Sequence, residues 1–179
     1  MRSGFNIGSS VVPLGIPIKA IISGTNLSPL STWPQYITGV YEYHAIGGGG
    51  GGRSGNLASG TIIHGEAGEA GEYITWTEAR SWQYGATPRP YGGIGGVYSA
   101  GFNVGTDGDF TGPVSHRADG GLGGTDAVAI PNQLAAASPF PFGVDIGKGG
   151  NGGLSSTSAP SIEDGEDGQE GAIYSIKRA

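Results

Sequence analysis

The chain contains no cysteine. Disulfides, zinc–thiolate sites and thiol catalysis are therefore excluded together. Charge is sparse: Asp, Glu, Lys and Arg make up 13% of residues and sum to −6. So few basic residues exclude a nucleic-acid-binding surface of the usual kind. No long hydrophobic run occurs. The mildly apolar "VVPLGIPIKAIISG" is broken by Pro13, Gly15 and Pro17, which makes it a poor signal-peptide core and no membrane span. Helical stretches are scarce, and the best candidate, "PNQLAAAS", is confined between Pro131 and Pro139. The chain is still not of disordered composition. Hydrophobic residues reach 36%, with three Trp and eight Tyr, and disorder goes with the opposite balance.

Glycine is what the chain has in excess: 38 of 179 residues, roughly three times the usual share of about 7%. Gly47 to Gly52 are consecutive and follow an aromatic, β-like segment, "YEYHAI". Poly-glycine carries the largest backbone entropy loss on folding and adds no side chain to a core. Such a run is either a linker or an element that requires the absence of side chains.

The remaining glycines recur at every third residue. Gly49, Gly52 and Gly55 form one series, and Gly65, Gly68 and Gly71 another. Gly147, Gly150 and Gly153 form a third, and Gly165, Gly168 and Gly171 a fourth. Pairs with the same spacing occur at Gly92/Gly95, Gly93/Gly96, Gly105/Gly108, Gly120/Gly123 and Gly121/Gly124. A period of three matches neither α-helix nor β-strand. It matches an extended polyproline-II-type helix, which has three residues per turn and no internal hydrogen bonds. Buried helices of this kind must bond to neighbours, and backbones approach closely only where no Cβ intervenes. Collagen needs an unbroken, proline-rich G-X-Y run, and these runs are short and almost free of proline. The pattern predicts a bundle of about six to eight short glycine helices, each about 20–30 Å long, joined by loops. Short β-strands are expected in "VVPLGIPIKAIISG", "YITGVYEYHAI", Tyr73 to Thr77 and the tail "GAIYSIKRA". The expected organisation is an attachment segment over 1–46 and a glycine-rich domain over 47–179.

The order of these features resembles the glycine-rich receptor-binding domains at the tips of bacteriophage tail fibres, the T-even-like distal adhesins. The resemblance rests on "YHAIGGGGGG", on "GEAGEYITW", on "GKGGNGG" and on the closing "GEDGQEGAIYSIKR". "IGSS" and "LGIP" are faintly similar to the attachment region of that family. The resemblance covers roughly residues 46–179. It implies a sandwich of polyglycine II helices whose distal loops contact a bacterial outer-surface protein or glycan. It further implies that residues 1–46 dock to a tail fibre or another virion protein, as a monomeric cap or as the end of a homotrimer. The location implied is the virion, at the tail fibre tip, and the extracellular space after host lysis.

Catalytic signatures are wanting. His44, His64 and His116 fit neither H-E-x-x-H nor a nucleophile elbow. "GVDIGKGG" fails the phosphate-loop spacing and has Gly149 after Lys148 in place of Ser or Thr. The expectation is a non-enzyme without cofactor, metal, nucleic-acid partner or membrane insertion. Asp107, Asp109, Glu163, Asp164, Glu166 and Asp167 carry oxygen ligands that Ca²⁺ uses, but in no EF-hand or calcium-repeat spacing. Such acids are expected to keep outer glycine helices soluble. Receptor contacts are expected on aromatic and Arg-bearing loops: Trp82, Tyr84, Arg89 and Tyr91 in "SWQYGATPRPY", His116 and Arg117, and Phe140 and Phe142. Prolines lower the ordering cost of such loops. The competing expectation is that these aromatics cover the sides of a scaffold with no core of its own. A decorating virion protein, or an ice-binding bundle, would follow from the same scaffold without receptor binding.

Overall fold

A computed structural model of the chain describes residues 14–20, 38–58, 61–80, 91–97, 103–112, 115–128, 134–156 and 161–179. Among these there is no helix, and the described part of "PNQLAAAS" is irregular. The regular elements are short strands paired antiparallel: β1 (Pro17–Ala20), β2 (Thr38–Ile46), β3 (Asn56–Ala58), β4 (Thr61–Gly65), β5 (Tyr73–Arg80), β6 (Ala127–Val128), β7 (Ser155–Ser156), β8 (Ser161–Ile162) and β9 (Ala172–Lys177).

The largest sheet has the order β1-β9-β2-β5. β2 lies inside it, with Tyr43 opposite Trp76 on one side and opposite Ser175 on the other. The sheet thus joins strands from both sides of the glycine run. β2 is alternating and aromatic, so each face carries its own packing. Tyr41, Tyr43 and Ala45 pack with Trp76, Ile173 and Ala118 on one face. Ile46 packs with Phe140 and Ala172 on the other, beside Tyr73, Phe142 and Tyr174. These two clusters are the apolar core, and both sit at one end of the molecule.

Three strands of that sheet run directly into glycine segments. β2 enters 47–55, while 65–72 leads into β5 and 163–171 into β9. Beyond Ile46 the pairing changes character. The N–H groups of Gly47, Gly50 and Arg53 donate to Glu72, Glu69 and Glu66. Those of Gly48, Gly51 and Ser54 donate to Asp109, Thr106 and Asn103, and those of Gly49, Gly52 and Gly55 to Gln169, Glu166 and Glu163. Consecutive residues of one chain segment therefore address three different neighbours, each in turn, at 2.8–3.1 Å. The carbonyls do the same toward three more. Gly48 and Gly51 accept from Gly121 and Gly124, Gly49 and Gly52 from Gly93 and Gly96, and Gly50 and Arg53 from Gly150 and Gly153.

The 47–55 segment is thereby enclosed by six others: 65–72, 103–109 and 163–171 run antiparallel to it, and 91–97, 118–126 and 147–154 run parallel. The six also bond to one another in a closed ring, since 65–72 pairs with 118–126 and 147–154, 163–171 with 147–154 and 91–97, and 103–109 with 91–97 and 118–126. Antiparallel and parallel segments alternate around it.

This arrangement accounts for the glycine pattern residue by residue. A Cβ on the central segment would meet backbone on every face: at Gly47 and Gly50 the 118–126 segment, at Gly48 and Gly51 the 91–97 segment, at Gly49 and Gly52 the 147–154 segment. All six positions therefore exclude a side chain. A Cβ on an antiparallel outer segment would meet backbone at one position in three, the one facing the centre, as at Gly65, Gly68 and Gly71 against Arg53, Gly50 and Gly47. A Cβ on a parallel outer segment would meet a ring neighbour at two positions in three, as at Gly120/Gly121 and Gly123/Gly124. "GGGGGG", "GEAGEAG" and "GGLGG" are thus three different addresses in one arrangement. The six-glycine run is a packed element and not a linker.

Candidate functional site

Chemistry-bearing side chains gather at the two ends of the glycine segments and in a rim around them. At the sheet end, the outer face of Trp76 is covered by His116, stacked 4.9 Å away, and its inner face by Tyr43 at 5.0 Å. The Trp76 indole N–H is buried and finds no acceptor among the described residues. Next to His116, Arg117 lies over the Phe110 ring at 4.3 Å and pairs with Asp119. The 110–118 connection is closed by reciprocal backbone bonds between Thr111 and Ala118.

On the opposite face, His44 Nδ1 lies 2.6 Å from the Tyr73 hydroxyl and His44 Nε2 lies 2.9 Å from Glu42. Arg178 donates to the other Glu42 oxygen at 2.7 Å. That hydrogen bond is the main reason the Glu42 carboxyl is held below its ordinary value of 4.5. Burial pushes the Tyr73 phenol up, with Glu42 adding to it. Phe142 meets His44 edge-on and stacks on Tyr174, and Phe140 contacts Tyr73 and Phe142. The 139–146 stretch is therefore a cover for the sheet.

The sequence-predicted contact residues separate accordingly. Trp82, Tyr84 and Arg89 lie outside the described residues. Tyr91 is 50% exposed at the sheet end of the 91–97 segment. His116 is partly covered by its stack on Trp76, whereas Arg117 is exposed. Phe140 is 3% exposed and Phe142 is half-buried, so these two side chains are spent on packing. Every described member of the set lies at the sheet end, the same end at which residues 14–20, 38–46 and 172–179 are found; Val40 and Ala179 bond there, as do Gly15 and Lys177.

The far end has its own small sheets, β3-β4-β6 and β7-β8. There Arg53 reaches the Thr125 carbonyl at 3.1 Å, and the Ser155 N–H points to His64 Nδ1 at 3.4 Å. Sequence reasoning did not single out this end, because its hairpins carry few large aromatics.

The acidic side chains have a role that composition did not reveal. Glu66 accepts from the N–H groups of Thr125 and Asp126, Glu72 from Asp119, Asp107 from Gly123 and Asp167 from Gly95, all at 2.7–3.1 Å. Each carboxylate stands on an antiparallel outer segment and caps an N–H of a parallel one. They are structural acceptors as well as solubilising charges. Among the described residues no group of three or more His, Asp or Glu side chains is placed to hold a metal ion. No helix among them is long and apolar enough to cross a membrane.

Comparison with protein-family models, with curated proteins and with solved structures finds no match for this chain.

Proposed function

We propose that the seven glycine segments are polyglycine II helices, and that the protein is a non-enzymatic tail-fibre-tip adhesin of a bacteriophage, displaying loops to a bacterial surface receptor. Hydrogen bonds that rotate through three neighbours with a strict period of three support the first half of this reading, as expected for three residues per turn. The observation that carries the second half is the division of labour along the axis. The middle of the molecule is backbone packed on backbone, and the connections that hold diverse side chains lie mostly at the ends. The 127–146 connection passes from the far end to the sheet end, and the Ala135 N–H donates to Asn151 on the way. A rigid backbone scaffold lets end loops vary without disturbing the packing between them.

The resemblance assigns attachment to residues 1–46, whose described parts, 14–20 and 38–46, lie at the sheet end. On that assignment the far end faces the cell, and its contact elements are the β3–β4 hairpin, residues 125–128 and the β7–β8 hairpin. Tyr91, His116 and Arg117 would then lie near the fibre, and Trp82, Tyr84 and Arg89 fall in sequence between β5 and Tyr91. Inward packing of Phe140 and His116 favours the second reading, a decorating virion protein, over one in which all aromatics serve a receptor.

Purified chain added to phage and host cells is expected to compete for adsorption, with several copies per virion raising avidity over the single-site affinity. Protein that neither binds host cells nor slows adsorption would overturn the adhesin. Within a binding protein, loss of competition on replacing residues 57–62, but not Tyr91 or Arg117, is expected; the reverse result would place the receptor at the sheet end.

A further inference from the structure

We infer that the side of the scaffold formed by residues 91–97 is a second, lateral docking surface, fitted to a partner that presents an apolar row flanked by Lys or Arg. Of the six outer segments this one alone, "YGGIGGV", contains no charged residue. Its glycines are directed by packing: Cβ atoms at Gly92 and Gly95 would meet the 163–171 segment, and at Gly93 and Gly96 the 103–109 segment. The third position of the repeat is what remains to face outward, and it holds Tyr91, Ile94 and Val97. Ile94 is 65% exposed and Tyr91 50%.

The corresponding outward positions elsewhere are Asp119, Leu122 and Thr125, or Lys148, Asn151 and Leu154, where charge or amide interrupts the row. A row of apolar side chains uninterrupted by charge or amide is the kind of surface that marks an interaction site. The rims identify the occupant. On one side runs the row that contains Asp167, exposed and bonded to Gly95, and on the other lies exposed Asp109, bonded through its backbone to Tyr91. A second copy would bring these acidic rims, on a chain of net charge −6, against one another. A strand or helix with basic flanks complements them instead, and electrostatic matching of that kind sets partner choice. The surface runs along the flank of the molecule from Tyr91 at the sheet end, and does not depend on the adhesin reading.

The test uses the full chain and two synthetic peptides, one alternating leucine with lysine and one alternating leucine with glutamate. The Leu/Lys peptide is expected to bind, with backbone amide shifts centred on 91–97 and 104–109, and to weaken as salt is raised. Ile94→Asp or Ile94→Ser should weaken binding roughly tenfold or more, while Val144→Asp, at an exposed site on the sheet end, leaves it unchanged. Asp167→Asn keeps an oxygen for Gly95 but removes the charge, and should lower affinity with a shallower salt dependence. An unchanged circular dichroism spectrum separates these effects from misfolding, and the serine variant serves where the aspartate one fails to fold. The assignment is overturned if the Leu/Lys peptide does not bind, if the Leu/Glu peptide binds equally, or if the shifts map elsewhere. Self-association abolished by Ile94→Ser would also overturn it, by making a second copy the occupant.

Discussion

Replacing Gly51 by alanine tests the packing directly, because the two possible roles of the glycine run predict opposite signs. In a linker, Gly→Ala is neutral or stabilises by about 0.4–1 kcal/mol, since alanine restricts the unfolded chain. In the enclosed segment a methyl at Gly51 would overlap the carbonyl of Ile94 and stand 2.8 Å from the Gly95 nitrogen. Backbone cannot rotate away as a side chain can, so the 91–97 segment must shift outward. That shift strains three bonds: Gly93 to Gly49, Gly96 to Gly52 and Thr106 to Ile94. Each contributes about 0.5–1.5 kcal/mol net, so losing most of their value costs roughly 2–4 kcal/mol. After the unfolded-state gain of about 0.4–1 kcal/mol, the expected loss is about 1–3.6 kcal/mol. For a chain of this size that lowers the melting temperature by roughly 2–14 °C. Leu122→Ala, at a side chain 58% exposed on an outer segment, is the control and should change stability by less than about 0.5 kcal/mol. Thermal and urea melts followed by circular dichroism give both values. A Gly51→Ala protein that melts at or above the parent temperature would refute the reasoning.

Phe140→Ala should destabilise by about 3–5 kcal/mol in urea melts, because its ring fills the space beneath β2, β5 and β9; an effect below about 1 kcal/mol would mean the 139–146 cover is not packed as described. Glu66→Ala removes the acceptor for two N–H groups and should cost about 0.5–1.5 kcal/mol, whereas Glu66→Gln retains an oxygen and should recover most of it. The Glu42 carboxyl is depressed in the folded state, so its contribution is present above the ordinary carboxylate range and is lost as pH falls below about 4.5. Arg178→Met removes the main cause, and should flatten the fall of melting temperature in that acid range while leaving the neutral-pH slope unchanged; an unaltered acid limb would show that the pair carries no linkage.

Some of this fold is legible from the residues alone. The glycine period of three marks the segments that pack backbone on backbone, and the scarcity of helix-forming stretches agrees with the absence of helix among the described residues. Strands were readable where β-branched and aromatic residues alternate, in "YEYHAI", "YITW" and "AIYSIK", because period two exposes one face to each side of a sheet. The acidic residues were readable only as charge, since which N–H lacks a partner depends on which segments are neighbours. Phe140 looked like a loop residue between prolines, and its burial follows from 139–146 folding back over the sheet, a contact distant in sequence.

The local sequence by itself determined how many faces of each segment are free of side chains: three in "GGGGGG", two in "GGIGG", "GGLGG" and "GGNGG", and one in "GEAGEAG" and "GEDGQEG". Tertiary structure alone decided what those faces meet. Along Gly47–Gly52 the enclosed segment has no room for a Cβ on any face, and side chains enter it only at Arg53 and Ser54 near the far end; a parallel outer segment tolerates one in three, and an antiparallel outer segment two in three. The reason is the direction of the Cα–Cβ bond relative to chain polarity, which is a property of the pairing and not of any one segment.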